Sequence, residues 1–262
     1  MESADHELVR TVRDVLASSA EPARASGMQA YMKSAMPYRG MSAPTLRAAL
    51  RPVLAAHPLP DEEVWQATVR ELWDGAAFRE ERYAALALAR HRLHREHQQV
   101  HTLDLYEHLI RTGAWWDLVD ETATHLVRDL LLAHPEEVSP VIRSWAVSED
   151  LWLRRAAIIC QVGAGDRCDQ DLLASVVEDN LDGSTRTKPP LSPYGREFFI
   201  RKGIGWALRD HARTEPAWVV EFVASHGGRL SGLSRREALK HVSGAPPPAA
   251  RRGQSESPPS ID

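Results

Sequence analysis

The stretch Lys202-Gly203-Ile204-Gly205-Trp206-Ala207 sets a polar residue ahead of small and branched or aromatic residues, and the chain uses that pattern three more times. Tyr83-Ala84-Ala85-Leu86-Ala87-Leu88, Arg155-Ala156-Ala157-Ile158-Ile159 and Arg236-Glu237-Ala238-Leu239 also open with a polar residue before small and apolar ones. In the second half of the chain the copies stand about 34 to 50 residues apart, the range of HEAT and armadillo units. Such units bury their apolar faces against neighbours and leave one long concave surface free. The pattern predicts an all-α fold: an α-solenoid of HEAT-like helical repeats, with residues 1–242 as one domain. A Lys or Arg at the start of a helix opposes the helix dipole. Each such residue is therefore either a solvated surface charge or part of a ligand site.

The segments around these copies also read as helices. Leu8, Val12, Val15 and Leu16 form one stripe of a helix from about His6 to Ser19. Pro22 and Gly27 bracket a break, and a helix carrying Met28, Tyr31, Met32 and Met36 follows, ending near Pro37. Ser42-Ala43-Pro44 reads as an N-cap with proline just inside the next helix, and Asp61 caps another. Arg79 to His91, Leu103 to Arg111, Trp115 to Ala133, Val138 to Ala146 and Leu151 to Val162 continue the series, with Ser148 and Asp150 as capping candidates. Leu172 to Leu181 is a further helix. Asp182 to Gly195, rich in Gly, Pro, Ser and Thr, reads as a long loop. Phe198 to Arg213, Pro216 to Ser225 and Ser234 to Val242 complete the set, the last opening on a capping box of Ser234 and Glu237. Residues 243–262, rich in Pro, Ser, Gly and Ala, cannot build a core and are expected to be disordered.

Composition narrows the function. Hydrophobic residues make up 43% and charged residues 26%, as in a soluble globular protein. No apolar run approaches the ~20 residues that span a bilayer, and the polar first ten residues lack a secretory core, so the expected address is cytoplasmic. Two cysteines, Cys160 and Cys168, imply no disulfide framework; one is expected in the core and the other in a loop. The net charge of −4 argues against nucleic acid until its distribution is read. From Arg186 onward there are 13 Lys/Arg against 7 Asp/Glu, a net of +6; the first 185 residues carry 19 against 29, a net of −10. A basic C-terminal third suits a local anionic ligand.

Two constellations compete for chemistry. His91, His94, His97 and His101 include an i, i+4 pair, the spacing of some metal sites, but they lack a firm third and fourth ligand; a polar surface turn is the other reading. Phosphate loops, dinucleotide fingerprints and the common hydrolase and zinc motifs are absent from the sequence. The second constellation is Thr112-Gly113-Ala114-Trp115-Trp116-Asp117-Leu118-Val119-Asp120. On a helix Trp116 and Asp120 share a face, while Trp115, Leu118 and Val119 turn to the other side. Trp206 and Arg209, three apart, share another face. Trp65, Trp73, Trp145, Trp152 and Trp218 read as core, whereas Trp116 and Trp206 each have a charged residue beside them. Two aromatic faces and a carboxylate make a cage for a cation, and arginines beside them would hold phosphates.

Several of these motifs together resemble the AlkD family of bacterial DNA alkylation repair enzymes. They are Arg70-Glu71-Leu72-Trp73-Asp74, Trp115-Trp116-Asp117-Leu118-Val119-Asp120, Trp152-Leu153-Arg154-Arg155-Ala156-Ala157-Ile158, Phe198-Phe199-Ile200-Arg201-Lys202-Gly203-Ile204-Gly205-Trp206-Ala207-Leu208-Arg209 and Leu233-Ser234-Arg235-Arg236-Glu237-Ala238. The likeness runs in order from about Met28 to Val242. It implies HEAT-like repeats and hydrolysis of the N-glycosidic bond of cationic N3- and N7-alkylated purines in double-stranded DNA. The family needs neither cofactor nor metal and acts without flipping the base into a pocket. By resemblance Asp120 is the catalytic aspartate, and Trp116 and Trp206 are the tryptophans against the lesion's backbone. Arg155 and Arg209 stand near the lesion phosphates, and Tyr31 contacts DNA close by. Lys202 and Arg236, the recurring cations, join the DNA-binding set.

The chain departs from that family in two places: an insertion at about Gly183 to Gly195, bringing Arg186, Lys188, Tyr194 and Arg196, and small residues at Met41-Ser42-Ala43-Pro44. A monomer acting on alkylated duplex DNA, away from membranes, is the expectation. A catalytically silent DNA-structure binder and a protein-binding HEAT scaffold are the alternatives.

Overall fold

The computed structural model describes residues 3–181 and 197–242. Among these residues all regular structure is helical, fourteen α-helices joined by short 3-10 turns and one π-helical segment. The all-α, HEAT-like architecture is the expected one. The chain forms two compact units, one ending at Leu109 and the other beginning at Ile110. The expectations for Asp182 to Arg196 and for residues 243–262 fall outside the described residues. No helix among those described is long and apolar enough to cross a membrane.

The first unit holds α1 (His6–Ser18), α2 (Pro22–Met32), α3 (Ala43–Ala56), α4 (Glu62–Asp74) and α5 (Arg79–Ala89). Helix α1 packs on α3, α4 and α5 through Leu8, Val9, Val12 and Leu16, all essentially without solvent exposure. Trp65 and Trp73 of α4 are wholly buried. Local signals placed several boundaries correctly: the Ser42 side chain accepts the Thr45 N–H, and that of Asp61 accepts the Val64 N–H. The expected break between Pro22 and Gly27 is not there. Proline occupies the first turn of α2, where its missing N–H costs nothing, and Gly27 is absorbed inside the helix. The helix stops at Met32 instead, where Lys33 takes a left-handed conformation (φ 49°).

The histidine-rich segment forms 3-10 turns, Arg92–His97 and Val100–Thr102. With three residues per turn, His91, His94 and His97 fall on one face. The His94 and His97 rings stack at 5.8 Å with 15° between their planes. Stacked rings present parallel nitrogens rather than convergent ones, and among the described residues no group of three or more His, Cys, Asp or Glu is placed to hold a metal. Nor is the segment simply a surface turn. His94 is fully buried, and desolvation together with His97 and His91 lowers its pKa to about 4.

Two buried carboxylates brace the connection between α2 and α3. Glu80, at the start of α5, accepts the backbone N–H groups of Arg39, Gly40 and Met41 at 2.9, 2.9 and 3.2 Å. Glu81 accepts the Arg39 guanidinium at 3.1 Å. The loop can only follow this path if Gly40 keeps φ +88°, and a Cβ there would lie 2.1 Å from the Glu21 carbonyl oxygen.

The division falls within α6 (Leu103–Gly113), and the second unit holds the end of that helix, then α7 (Trp116–Glu121), a π-helical turn (Thr122–Val127) and α8 (Arg128–Ala133). After these come α9 (Pro135–Ala146), α10 (Leu151–Ile159), α11 (Gln170–Glu178), α12 (Phe198–His211), α13 (Pro216–Ser225) and α14 (Gly232–Ala238). Helix α10 is the hub, packing on α7, α9, α11 and α12, while α12 lies closely against α14. Asp150 caps α10, accepting the N–H groups of Trp152 and Leu153. Arg154, wholly buried, donates to the carbonyls of Ala146 and Ser148 and to the side chain of Asn180. Cys160 is buried and Cys168 half-buried; both are free thiols.

Gly40→Ala should therefore destabilise the first unit by at least about 2 kcal/mol, combining left-handed strain with a backbone clash. Thermal denaturation followed by circular dichroism should show Tm lower by several degrees; an unchanged Tm would sink the account of this loop.

Candidate functional site

The expected single helix from Trp115 to Ala133 is interrupted. Ala114 takes φ 41°, Trp115 is extended and caps α7, and the chain passes through the π-turn before resuming as α8. A π-turn inserts a residue and offsets the faces before and after it. The Thr122 hydroxyl donates to the Leu118 carbonyl and the Thr124 hydroxyl to the Asp120 carbonyl, both at 2.8 Å. These bonds add side-chain donors to carbonyls at the start of the π-turn, and periodicity alone gives no sign of them.

The four-residue spacing sorts the side chains as expected. Leu118 and Val119 are fully buried, while Trp116 is 36% exposed on the face it shares with Asp120. Trp115 packs inward, its ring 5.9 Å from that of Trp152 and 5.5 Å from that of Phe199.

Asp120 is held by Arg155 of α10. Arg155 donates through Nε to Oδ1 and through Nη2 to Oδ2, both at 2.7 Å, in a two-pronged ion pair. Its third prong, Nη1, donates to the Phe199 carbonyl in the first turn of α12. Gly203, one turn further along α12, lies beside the guanidinium, where an added Cβ would make ordinary contact with Nη1 at 3.4 Å. Arg155 is buried, so in this structure it faces Asp120 rather than solvent. Burial raises the Asp120 pKa, the charge and hydrogen bonds of Arg155 pull it back, and nearby Asp117 pushes it up again; the net shift is upward.

A second ion-pair cluster lies on α12. Lys202, Trp206 and Arg209 stand at i, i+4 and i+7 and form one stripe. Glu237 of α14 bridges the two cations: Lys202 Nζ donates to Oε2 at 2.7 Å, and Arg209 Nη1 donates to Oε1. The expected capping box at Ser234 and Glu237 is thus not formed. The helix begins earlier, with Ser231 accepting the Ser234 N–H, while the buried Ser234 hydroxyl donates to the Arg201 carbonyl. Glu237 itself answers two cations. Helix geometry gives no hint of that, because the partners come from another helix. Trp206 is half-buried and Arg236 exposed.

Among the candidates, the structure brings Asp120 and Arg155 into direct contact, and Lys202 and Arg209 onto one carboxylate. Trp116 shares the Asp120 face, and Trp206 lies between the two cations along its helix. Tyr31 belongs to the first unit, where it is 79% exposed on α2. Trp65, Trp73, Trp145 and Trp152 are buried as expected, and Trp218 is half-buried against His211 and Phe222.

A helical-repeat protein with a half-buried carboxylate on the face of an exposed Trp, and cations on a further helix, defines a class with a candidate nucleic-acid site. Comparison with known proteins gives the family. Residues 12–242 match the model for DNA alkylation repair enzymes, and the chain belongs to that family. A solved structure described as a predicted DNA alkylation repair enzyme from Enterococcus faecalis is similar at 28% identity and a TM-score of 0.72, covering 86% of this chain and 98% of that one. No curated protein matches the chain.

Because the folded pKa of Asp120 exceeds the unfolded one, folding favours its protonated form. That contribution is present below the usual carboxylate pKa and is lost as pH rises through the folded value. NMR titration of the Asp120 carboxyl should give a midpoint above the usual aspartate range, and Arg155→Met should move it higher. A midpoint at or below that range would overturn this electrostatic picture.

Proposed function

We propose that the protein is a DNA glycosylase that hydrolyses the N-glycosidic bond of cationic N3- and N7-alkylated purines in duplex DNA, without flipping the base. The observation that carries the reading is Asp120, fixed by two bonds from Arg155 on the face of an exposed Trp116, in a chain of the DNA alkylation repair family.

Alkylation of a purine ring nitrogen gives the base a positive charge. When the bond to C1′ breaks, its electron pair returns to the base, which leaves neutral and needs no protonation. The sugar becomes oxocarbenium-like, as in glycoside hydrolysis. A carboxylate stabilises that cation through space and can orient the water that adds to C1′, whose proton passes to Asp120 or to solvent. One carboxylate is enough, because no general acid is required. The leaving group's own charge does the work that a cofactor or metal would otherwise supply.

Arg155 keeps Asp120 aimed, and its burial suits this better than a direct role at a phosphate. Trp116 and Trp206 add aromatic surface to a cationic sugar. Lys202, Arg209, Arg236 and Tyr31 are the proposed DNA contacts, the three cations meeting phosphates. An uncharged lesion, lacking the leaving-group charge, should be a poor substrate.

The deciding measurement is release of free 7-methylguanine from duplex DNA. Wild type should release it, and Asp120→Asn should cut the single-turnover rate by on the order of 100-fold, the scale of losing one electrostatic stabiliser. DNA binding without release would leave a silent binder, and neither binding nor release would leave a scaffold.

A further inference from the structure

Glu237 has no role in the bond-breaking chemistry proposed above, yet it holds two of the proposed phosphate contacts. Helix α14 approaches α12 at Gly205, where an added Cβ would lie 2.6 Å from Glu237 Cβ and 3.1 Å from the Ser234 carbonyl oxygen. No other residue type gives so close an approach. The contact sets the Glu237 carboxylate between Lys202 and Arg209, with Trp206 between them on the same stripe. Glu237 is the most buried of the three: its side chain is 14% exposed, against 28% for Arg209 and 41% for Lys202. The anion is therefore the fixed member and the cations are the parts it orders. One carboxylate against two cations leaves a net charge of +1. Lysine has three donors and arginine five, so each keeps N–H groups for a second acceptor.

We propose that Glu237 is a positioning residue. Its carboxylate pre-orders Lys202 and Arg209 on either side of Trp206 so that both meet backbone phosphates of bound DNA. The proposal rests on the DNA-binding part of the reading above, but not on the excision step. Two long, flexible side chains lose rotamer freedom when they grip a ligand, and holding them in place beforehand removes that cost from binding. The opposite arrangement, a carboxylate that competes with phosphate, would call for an anion free to move aside. Glu237 is pinned at Gly205 through its own Cβ.

Salt dependence of binding to undamaged duplex DNA separates these cases and needs no catalysis. Each phosphate contact contributes about 0.9 to the slope of log K against log salt. Lys202→Ala/Arg209→Ala should flatten the slope by about 1.8, and Glu237→Gln should flatten it by about 1 or more although the protein gains positive charge. Added to the Lys202→Ala/Arg209→Ala background, Glu237→Gln should have no further effect. Glu237→Asp, with a shorter reach, should fall between wild type and Glu237→Gln. Tm of the single variants should stay within a few degrees of wild type. A slope that is unchanged or steeper in Glu237→Gln, or a flattening matched by a large drop in Tm for both Glu237→Gln and Glu237→Asp, overturns the proposal. If wild type releases no base while these slopes behave as expected, the glycosylase reading fails and the role of Glu237 stands.

Discussion

The bond between Arg155 and Asp120 is the constraint on which the second unit depends. It gathers α7, α10 and α12 at one point, because the same guanidinium holds the Asp120 carboxylate and the Phe199 carbonyl. Breaking a buried pair by removing one partner typically costs ~3–5 kcal/mol, since it leaves the other charge without compensation. The pair is therefore weak evidence for stability gained but strong evidence for geometry fixed. A carboxylate alone at this depth would take up a proton. With Arg155 it can remain an anion, although burial still makes that harder than in water.

The cluster around Glu237 differs in kind. Its cations are partly exposed, so solvent screens them and the contact contributes little to stability. What it fixes is the direction of two side chains. The two carboxylates thus divide the labour: Asp120 is ordered by a buried cation, and Glu237 orders two partly exposed ones. Two glycines of α12 stand beside these groups, Gly203 by Arg155 and Gly205 by Glu237, and only at Gly205 would an added Cβ clash.

How much of this was legible in the sequence depends on how local each interaction is. Ser42, Asp61 and Asp150 bond to N–H groups two or three residues on, and a linear reading finds such caps. The face shared by Trp116 and Asp120 follows from helical spacing alone. By contrast Arg155 meets Asp120 across 35 residues, and Glu237 meets Lys202 across the same interval. Nothing in the spacing announces either pair, so Arg155 reads as a phosphate contact and Glu237 as half of a capping box. The π-turn is hidden for another reason. Its hydroxyl-to-carbonyl bonds are available to any Thr in a helix, and only tertiary packing decides whether the ladder opens.

The same division bears on the proposed chemistry. A cationic purine supplies its own leaving-group activation, so the protein need only offer a stable anion and a surface to lie against. Asp120 is already paired in the free protein, with both oxygens directed. The exposure of Trp116 then has a purpose. A large aromatic ring left 36% in water beside a half-buried carboxylate gains most when a ligand covers it, and a positively charged ligand gains from both ring and anion. Arg155 opposes that cation with its own charge, yet each carboxylate oxygen has more than one acceptor site, so a neighbour can be met without releasing the guanidinium. On this reading the ion pair serves as the resting form of the site, and the substrate adds a second cation to an anion that is already in place.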